Sequence, residues 1–557
     1  MSNDRLIYLP LGGAGEVGMN AYVFGYGPKG RERLILVDLG VTFADMGTTP
    51  GVDLILPDLT WLEERRDRLE AIIITHAHED HVGALGQMWH KLQVPVYARD
   101  FTARIARLKM KDAGQDPEQV RTVGKAPEAL ELGPFRVQFF PVAHSLPEAS
   151  GVIIDTPAGR VVHSGDFKAD QSPGVGEPHD PALLAEIGRT GVKALLCDST
   201  NVMNLHPGRS ELSLIEPITE LMRSAKGMVV ATTFASNVAR LKTLALAAQD
   251  AGRSVCLMGR AMLRMTQVAT EAGILRDMPP TISPEEAREI ARENLLLIVT
   301  GSQGERRAAS AQLARGNYMG LSMKEGDTFL FSSMTIPGNE REVGWVVNAL
   351  SEMGVDVLDN SERRYHVSGH ANRPDLMEMQ DLIAPQMLIP IHGEHRMLRE
   401  HAKLALARGM RALVVPNGSV CDLTGDAPVL VDEVQTGRVY LDGSRLVGAM
   451  DGVIRDRLRM AIGGHVFVTL ILDEENEALG APWAEIAGLR SEGRGGQMLN
   501  EIIENALEDF VTRAGHKVLA DDDKLNDGLR RVVRQVVMEE IGKKPEVTVV
   551  VSRLQSD

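Results

Sequence analysis

The amino-acid sequence predicts an α/β protein that consists of several domains. Short β-branched runs bounded by turn residues recur between positions 33 and 200, and such runs are typical of buried or half-buried strands. Between positions 211 and 358, strand patterns alternate with helical or loop segments, which indicates a separate parallel α/β unit. A chain of 557 residues has room for three or four domains with a large core.

The order of the elements indicates that the α/β unit is an insertion. The first strand patterns are 33–40, 71–78, 135–145, 150–159, 160–167 and 194–200, with helical patterns at 83–91 and 100–112. The strand patterns of the α/β unit are 228–234, 254–259, 295–301 and 328–333. Short strand-like segments return in 359–420, as expected if the unit interrupts the first domain. We predict a first domain over 1–208, an inserted domain over 209–358, the return part of the first domain with a linker over 359–455, and a small C-terminal α+β domain over 456–557.

The composition excludes several classes of protein. Hydrophobic residues make up 44% and charged residues 24%, so the chain is neither mainly disordered nor a disulfide-stabilised scaffold. Three distant cysteines without a CxxC pattern fit a reducing compartment. No signal peptide is recognisable, and no apolar run approaches the ~20 residues that span a bilayer. These observations predict a cytoplasmic protein without a membrane partner.

The net charge of −16 argues against non-specific binding of nucleic acids, which depends on basic patches. Net charge averages over the whole surface, so a local basic channel stays compatible with it. The inserted domain holds a local supply of basic residues for such a channel, although a solvated face is the more common meaning of such residues. These residues are Arg240, Lys242, Arg260, Arg264, Arg306, Arg307 and Arg315.

The densest chemical signal is THAHEDH at 75–81, directly after the strand pattern AIIIT. Neutral imidazole is the commonest metal ligand, and carboxylates bind the same hard or borderline metals. In an extended segment His76 and His78 lie on one side, and Asp80 and His81 can face a second metal where the chain turns. A polar helix cap would explain Asp80 but not three histidines around it. The motif therefore predicts a metal site.

A site for two metals needs more ligands, and three candidates lie at later strand ends. His144 lies in FPVAHS, Asp166 in HSGDF and His392 in IPIHGEH. Each alone would more often be a packing or capping residue. Together with the first cluster they complete a set of His and Asp side chains for two metals ~3.5–4 Å apart.

Other conspicuous residues favour a structural interpretation. GAGEVG at 13–18 matches GxGxxG, but a strand pattern follows it instead of the helix that a dinucleotide site requires. His163, three residues before Asp166, is expected to pack rather than to bind. Six histidines outside any cluster are also expected to be structural: His90, His179, His206, His401, His465 and His516.

HxHxDH followed by a His, an Asp and a final His resembles the pattern of the metallo-β-lactamase fold. CDSTN (197–201), VSGHA (367–371) and PIHGEHR (390–396) resemble motifs A, B and C of the β-CASP nucleases. FASNVAR (234–240), TGSQGE (300–305) and SSMTIPGNE (332–340) are similar to sequences of the bacterial ribonuclease J family. The resemblance covers essentially the whole chain. It implies an αββα metallo-β-lactamase core, an inserted β-CASP domain and a C-terminal α+β domain.

The resemblance also implies roles for individual residues. His76, His78 and His144 would bind one zinc, and Asp80, His81 and His392 the other. Asp166 would bridge the two ions, and Asp38 would orient ligands without binding metal; Mn²⁺ or Mg²⁺ could serve in assays. The implied catalytic residues are His370, Asp80, Asp166 and the motif A residue Asp198. His370 would protonate the leaving 3′-oxygen or hold the phosphate, and Asp80 or Asp166 would orient the attacking water.

A phosphate pocket is implied as well, with Gly369 allowing close backbone approach. Its residues would be Ala235, Ser236, Asn237, His366, Val367, Ser368, Gly369 and His370. In the family such a pocket holds a 5′-monophosphate, so we expect 5′→3′ exonuclease activity with additional endonuclease activity in RNA maturation and decay. Ser236 and Asn237 equally suit a helix N-cap, and the two roles are compatible.

The implied partners are single-stranded RNA, a second copy of the chain (a homodimer, or a homotetramer) and components of an RNA-degradation machinery. The C-terminal domain would mediate assembly, whereas its apolar stripe from Leu525 to Ile541 is expected to pack on the domain's own sheet. The resemblance further implies a structural calcium near Gly51, Asp53 and Asp442.

Three other functions use the same residues. A small-molecule metallohydrolase would need the same metal set, but it leaves the insertion and SSMTIPGNE unexplained. A DNA-directed β-CASP nuclease differs only in recognition of the 2′-OH, which cannot be read from the sequence. A non-catalytic RNA-binding scaffold would be expected to have lost ligands, and none is missing.

Overall fold

A computed structural model of the chain describes residues 4–361 and 363–554. It confirms the predicted α/β class, with helices and sheets in every part of the chain. Residue contacts divide the chain into two compact units. The first comprises Met1–Thr42 and Leu56–Gly437, and the second comprises Phe43–Ile55 and Arg438–Asp557.

Two large sheets form the centre of the first unit. The eight-stranded sheet has the order Val429–Glu433, Ser419–Asp422, Asp4–Gly12, Ala21–Pro28, Arg33–Val37, Leu69–Ile73, Val96–Ala98, Val120–Thr122. The seven-stranded sheet has the order Arg411–Ala412, Met387–Ile391, Ala194–Asp198, Gly159–His163, Ser150–Thr156, Phe135–Pro141, Leu130–Leu132. A short parallel pair joins Ala14–Gly15 to Gly393–Glu394.

The two sheets bury a common core between them. Apolar side chains from both sheets, such as Tyr8 and Phe24 from the first and Phe139 and Ile389 from the second, belong to one buried cluster. Helices cover the remaining faces, which gives the predicted αββα order of layers. These helices are Thr60–Glu63, Glu79–Val82, Leu85–Leu92, Asp100–Asp112, Pro181–Arg189, Arg373–Ile383 and His395–Ala407, with 3₁₀ turns at Arg66–Arg68 and Pro117–Gln119.

The inserted segment forms a six-stranded sheet of its own in which all strands run parallel. Its order is Thr281–Ile282, Ser254–Met258, Leu295–Val299, Val229–Thr232, Thr328–Phe331, Asp356–Leu358. The strands are almost wholly apolar because helices cover both faces, and each face has a separate core. The helices are Ile215–Ser224, Val238–Asp250, Arg260–Glu271, Pro284–Ala287, Ala309–Ala314 and Glu340–Glu352, with 3₁₀ turns at Glu211–Leu214 and Arg292–Asn294.

The second unit contains one complete three-stranded sheet and all of another except Leu56 and Pro57. One has the order Arg445–Gly448, Arg438–Asp442, Leu54–Pro57, and the other has the order Trp483–Ala487, His465–Leu472, Glu546–Arg553. Leu525, Leu529, Val533 and Val537 share a buried cluster with the second sheet, so the apolar stripe packs within its own domain as expected. The helices are Val453–Gly463, Leu499–Arg513, His516–Leu519 and Asp522–Ile541.

The second unit includes the chain from Arg438 onward, and the predicted start of the C-terminal domain at residue 456 stays a prediction. The strands Arg438–Asp442 and Arg445–Gly448 lie in this unit, within the segment that the sequence assigns to the return part and linker. Arg438–Asp442 neighbours Leu54–Pro57 on one side and Arg445–Gly448 on the other. The boundaries between the first domain and the insertion, at 208/209 and 358/359, stay predictions. Within the described residues, we find no helix that combines the length and apolar character needed to cross a membrane.

Candidate metal centre

The candidate ligands meet because several strands end at the same edge. Gly159–His163, Ala194–Asp198 and Met387–Ile391 run parallel, so their carboxyl ends lie side by side. Asp166, Asp198 and His392 follow or end these strands. The segment that contains His76 follows the strand Leu69–Ile73 of the other sheet. Within the described residues, the His and Asp donor atoms at this edge form three overlapping groups, each with its atoms within 4.8 Å of one another.

The first group consists of His76, His78, His144 and Asp166. Nδ1 of His78 lies 3.1 Å from Nε2 of His76 and 3.1 Å from Nε2 of His144. A tetrahedral cation with metal–nitrogen bonds of 2.0–2.1 Å holds its ligand nitrogens about 3.3 Å apart, so the spacing suits a divalent transition metal. Burial lowers the pKa of all three imidazoles, that of His78 to about 4, which keeps them in the neutral form that binds metal.

In His76 and His144, Nδ1 carries the proton and donates a hydrogen bond, which leaves Nε2 free to bind a metal ion. Nδ1 of His144 donates to the carbonyl oxygen of Gly369 at 2.6 Å. Nδ1 of His76 donates to the hydroxyl of Thr75 at 2.9 Å, and that hydroxyl donates to Asp38. Such outer partners fix the tautomer and orientation of a metal-binding imidazole.

The second group consists of Asp80, His81, Asp166 and His392. Oδ2 of Asp166 lies 3.1 Å from Nε2 of His81 and 3.6 Å from Nε2 of His76, so this carboxylate touches both groups. Oδ2 of Asp80 lies 3.0 Å from Nε2 of His392. The donor set and its spacing therefore fit two neighbouring cations with a shared carboxylate.

Outer partners hold this group in the same way. Asp38 is fully buried and accepts a hydrogen bond of 2.8 Å from Nδ1 of His81. The Thr200 hydroxyl lies 2.8 Å from Nδ1 of His392 and donates to Asp198. Asp38 and His392 both adopt positive φ angles, +63° and +52°, a strained backbone that is concentrated at functional sites.

Carboxylates dominate the electrostatics of the second group. Burial alone would lower the pKa of His81 and of His392, but the nearby carboxylates, Asp166 first, outweigh burial and raise both, that of His392 to about 10. A cation that binds here must displace these protons, as ligands in metal sites are deprotonated.

His370 and Asp198 form a hydrogen-bonded pair beside the second group. Nδ1 of His370 lies 2.8 Å from Oδ2 of Asp198 and 3.8 Å from Asp166. Burial alone would lower the pKa of His370, but Asp198 and Asp166 outweigh burial and raise it. The structure therefore brings all four candidate catalytic residues, His370, Asp80, Asp166 and Asp198, to one place.

The loop His366–His370 touches the metal centre through Gly369. A Cβ atom on Gly369 would lie 2.9 Å from Cε1 of His144, so the close approach that this glycine allows is to a candidate ligand. The sequence alone predicts instead that Gly369 allows close approach to a bound phosphate. Ser368 accepts hydrogen bonds from Asn201 at 2.8 Å and from the backbone N–H of His370 at 3.1 Å, which shapes the turn.

Gly369→Ala is expected to lower metal affinity and activity together, because the added methyl group would push His144 away from His78. Gly344→Ala is the control, since a Cβ atom at Gly344 meets nothing within 4 Å in the helix Glu340–Glu352. Metal content and activity are measured for both variants. A Gly369→Ala chain that retains the full metal content and activity would contradict the interpretation.

Arg240 is one of the seven basic residues considered for a channel in the insertion, and its burial excludes it from that role. It is fully buried and does not line a surface. Its guanidinium forms a bidentate ion pair with the buried Glu211, with distances of 2.6 and 2.9 Å. It also donates to Nδ1 of His366 at 3.2 Å and to the carbonyl oxygen of Ser332 at 2.6 Å. Arg240 thus holds the start of the His366–His370 loop.

Asn237 caps the N-terminus of the helix Val238–Asp250, because its side chain accepts a hydrogen bond of 2.9 Å from the backbone N–H of Arg240. This confirms the expected N-cap role of Asn237. Ala235 and Ser236 precede this cap. The contact between Arg240 and His366 therefore links the two segments of the candidate phosphate pocket. Burial and Arg240 lower the pKa of His366 to about 3, so the imidazole is neutral.

Glu211→Leu is expected to destabilise the protein by about 3–5 kcal/mol, because it leaves the Arg240 charge buried without a partner. Glu220→Leu is the matched control. It removes the exposed ion pair of Glu220 with Arg364 and should cost about 1 kcal/mol or less. Melting temperatures compare the two variants. Equal melting temperatures would contradict a structural role of the buried pair.

Two residues next to the metal centre were missed in the sequence. Nδ2 of Asn20 lies 2.9 Å from the carbonyl oxygen of Asp80 and 3.0 Å from Nε2 of His81. Tyr22 donates to Oδ1 of Asn20 at 2.6 Å. The glycine loop at 13–18 packs against Asn20, since a Cβ atom on Gly13 would lie 2.2 Å from Oδ1 of Asn20. The strand Ala21–Pro28 follows this loop, as the sequence predicts. Only the position of Asn20 after that loop could have indicated its role.

The remaining candidates are His163, beside the centre, and the three residues of the implied calcium site, in the second unit. His163 is buried, packs against Tyr22 and accepts from the backbone N–H of Gly165, as expected for a packing residue. In the second unit, Asp53 accepts from the backbone N–H of Gly443 at 2.8 Å, and Asp442 pairs with Arg457 at 2.6 Å. Arg457 also lies next to Gly51. The calcium site stays a prediction.

Family models match four successive parts of the chain. Residues 14–197 match the metallo-β-lactamase superfamily, and 226–350 match the ribonuclease J β-CASP domain. Residues 362–416 match a Zn-dependent metallo-hydrolase RNA specificity domain, and 452–554 match the ribonuclease J C-terminal domain. The chain is 40% identical over 557 residues to ribonuclease J of Sinorhizobium meliloti, covering 99% of this chain and 98% of that protein.

The chain belongs to the ribonuclease J family. Ribonuclease J of Mycobacterium tuberculosis is 34% identical over 98% of this chain and 97% of that protein, and that of Thermus thermophilus is 32% identical over 98% and 95%. A solved structure of a protein of unknown function from Enterococcus faecalis covers 75% of this chain and 100% of its own, with a TM-score of 0.51 and 16% identity, which shows the fold alone. Membership of the ribonuclease J family confirms the predicted domain types and places the chain among the hydrolytic nucleases.

Proposed function

We propose that the chain hydrolyses RNA phosphodiester bonds with two bound zinc ions. In this proposal it acts as a 5′→3′ exonuclease that prefers a 5′-monophosphate end, with additional endonuclease activity, in cytoplasmic RNA maturation and decay. His76, His78 and His144 would hold one ion, Asp80, His81 and His392 the other, and Asp166 both. The ions would supply charge for the phosphate oxygens and lower the pKa of the attacking water.

The chain's own residues then have defined tasks. Asp198 and Asp166 raise the pKa of His370, which favours the protonated imidazole, and this imidazole can donate its proton to the leaving 3′-oxygen. Asp198 keeps the imidazole oriented through the hydrogen bond to Nδ1. Asp80, whose side chain is 28% exposed, can accept a hydrogen bond from the attacking water.

The contact between Gly369 and His144 carries the proposal of exonuclease activity. A phosphate bound by the His366–His370 loop would lie close to the metal ligands, because His144 donates to the carbonyl oxygen of Gly369 and the ring of His370 lies 5.2 Å from that of His144. Since Arg240 donates to Nδ1 of His366, the proton of this neutral imidazole lies on Nε2 and can be donated to a phosphate oxygen. The short span favours release of single nucleotides.

The decisive assay uses a single-stranded RNA with a 5′-monophosphate and a DNA of the same sequence. We expect mononucleotide products from the RNA, loss of activity after chelation, and little cleavage of the DNA. Cleavage of DNA alone would favour a DNA-directed nuclease. RNA binding without products would indicate a scaffold, and turnover of lactone or thioester substrates without nuclease activity would indicate a small-molecule hydrolase.

We also propose that the chain forms a homodimer, or a tetramer, through its C-terminal domain. One face of the sheet of that domain packs on its own helices, and the other carries exposed apolar side chains. Trp483, Thr469 and Val550 lie opposite one another across the three strands, and Ile471 lies two residues along. Trp483, Ile471 and Val550 are 46%, 44% and 41% exposed. An apolar patch of this kind is typical of an interface between proteins.

Trp483→Glu is expected to produce a monomer, because a charge on this face must be desolvated in an interface. Deletion of residues 460–557 should do the same and weaken activity. Leu263→Glu, at an equally exposed leucine of the insertion, is the control. Light scattering coupled to size exclusion measures the mass of each variant. An unchanged mass of Trp483→Glu would contradict this interface.

A further inference from the structure

A cleft of about 560 Å³ lies within the second unit, away from every residue assigned a role above. The end of the helix Val453–Gly463, the end of the helix Asp522–Ile541 and the start of the strand Glu546–Arg553 surround it. Four cationic side chains line the cleft together with one carboxylate: Arg459, Arg534, Lys543, Lys544 and Glu546.

The positive charges of the cleft are not balanced by its surroundings. Glu546 is shared, at 3.7 Å from Arg459 and 3.5 Å from Arg534. Lys543 donates to the carbonyl oxygen of Ile462 at 3.1 Å, and among residues 4–361 and 363–554 neither Lys543 nor Lys544 has a carboxylate within ion-pair distance. This concentration of positive charge is confined to the cleft, since residues 438–557 as a whole include 16 Lys and Arg against 21 Asp and Glu.

The C-termini of two helices balance only part of the positive charge in the cleft. Two helices end at the cleft, and each C-terminus carries about half a negative charge that lysine and arginine stabilise. Together with Glu546 the two ends amount to about two negative charges. Four cations therefore leave a surplus of about two positive charges with no structural partner in the cleft.

Apolar side chains lie beside the cations. Ile462 is 71% exposed and Met538 is 47% exposed, and both line the cleft. Exposed apolar surface next to unpaired cations suits a ligand with anionic and apolar parts. A nucleotide of single-stranded RNA has both, because its phosphate accepts charge-assisted hydrogen bonds and its base has an apolar face. The volume is in the range of small-ligand pockets and admits one such unit.

We propose that this cleft is a second RNA-binding site, which holds the phosphate backbone of single-stranded RNA outside the metal centre. The inference rests on the proposed RNA substrate. A chain with a net charge of −16 repels RNA at long range, and a local cationic site offsets this repulsion. The site would retain long RNA during successive cleavages without reading its sequence.

The test measures binding of a 30-nucleotide single-stranded RNA to the full chain in the presence of a chelator. Lys543→Glu/Lys544→Glu is expected to weaken binding at least tenfold at low salt. It should reduce the slope of log K against log salt by about 1.4, since each lost phosphate contact on a single strand contributes about 0.7. Lys517→Glu/Lys524→Glu makes the same charge change at exposed lysines of the same domain and should leave the slope unchanged.

A milder variant covers the case in which the double variant misfolds. Lys544→Gln removes only the lysine that has no hydrogen bond or ion pair in the described part of the chain, and it should reduce the slope by about 0.7. An unchanged slope in Lys544→Gln, or equal losses in the cleft and control variants, would overturn the proposal. Tighter binding of an acidic peptide than of RNA, or loss of the dimer with unchanged RNA binding, would also overturn it.

Cleavage of a five-nucleotide 5′-monophosphorylated RNA separates this inference from the proposed function. Such a substrate has few phosphates to offer a second site, so the cleft variants should cleave it at the wild-type rate. A wild-type chain that leaves it intact would contradict the proposed function, whereas loss of long-RNA binding in the cleft variants would still support the second site.

Discussion

Substitution of His76 or Asp80 by alanine is expected to abolish RNA cleavage while the fold is retained. Nε2 of His76 lies 3.1 Å from His78 and 3.6 Å from Asp166, and Asp80 lies 3.0 Å from His392, so each substitution removes one donor from a compact group. The loss should exceed the roughly 10- to 100-fold that follows from removing an outer partner of a metal ligand. The core between the two sheets contains neither residue and should not depend on them.

His90→Ala is the matched control, because His90 is an exposed histidine on the helix Leu85–Leu92. Cleavage rates, metal content and melting temperatures are compared for the three variants and the wild type. Undiminished cleavage by His76→Ala would exclude this residue from the metal centre. Loss of the folded state in both substituted chains would instead indicate a structural metal.

RNA with a 5′-monophosphate is expected to be trimmed far faster than RNA with a 5′-triphosphate. A pocket near the metal ligands that is sized for one phosphate should reject the bulkier and more highly charged end. Each charge-assisted hydrogen bond to the phosphate contributes about 1.5–3 kcal/mol, so several bonds together change the rate by orders of magnitude. Trimming of both RNAs at the same rate would contradict a 5′-end sensor.

Ser368→Ala separates this pocket from the cleavage machinery. Loss of one charge-assisted bond should slow trimming about 10- to 100-fold and internal cleavage much less, because an internal site does not use the terminal pocket. Ser351→Ala is the control at an exposed serine of the insertion. Equal losses of trimming and internal cleavage in Ser368→Ala would show that Ser368 acts through His370, whose backbone N–H it accepts.

Much of the fold and the metal cluster could be predicted because the signals are local. The strand patterns and the helix Asp100–Asp112 appear in the sequence as periodic runs. His76, His78, Asp80 and His81 stand within six positions, so no long-range information is needed to group them. The distant candidates His144, Asp166 and His392 were identified by their positions at strand ends, and the structure brings them to the same edge.

The outer shell of the centre could not be predicted, because its contacts join residues far apart in the chain. Asn20 reaches Asp80 across 60 positions, and Arg240 reaches His366 across 126. Nothing in the sequence distinguishes Arg240 from the exposed arginines of the insertion, and only the fold buries it beside Glu211. The pairing of Arg438–Asp442 with Leu54–Pro57 joins distant residues in the same way and cannot be read from the sequence.

Titration of the metal-free chain with zinc tests the account most directly. The chain is stripped with a chelator, and cleavage of 5′-monophosphorylated RNA is measured as zinc is added back in known amounts. Two equivalents per chain should restore full activity, because the first and second of the three overlapping donor groups would each hold one ion and share Asp166. Elemental analysis that finds no bound transition metal in the active chain, together with activity that is indifferent to chelators, would contradict the two-metal account.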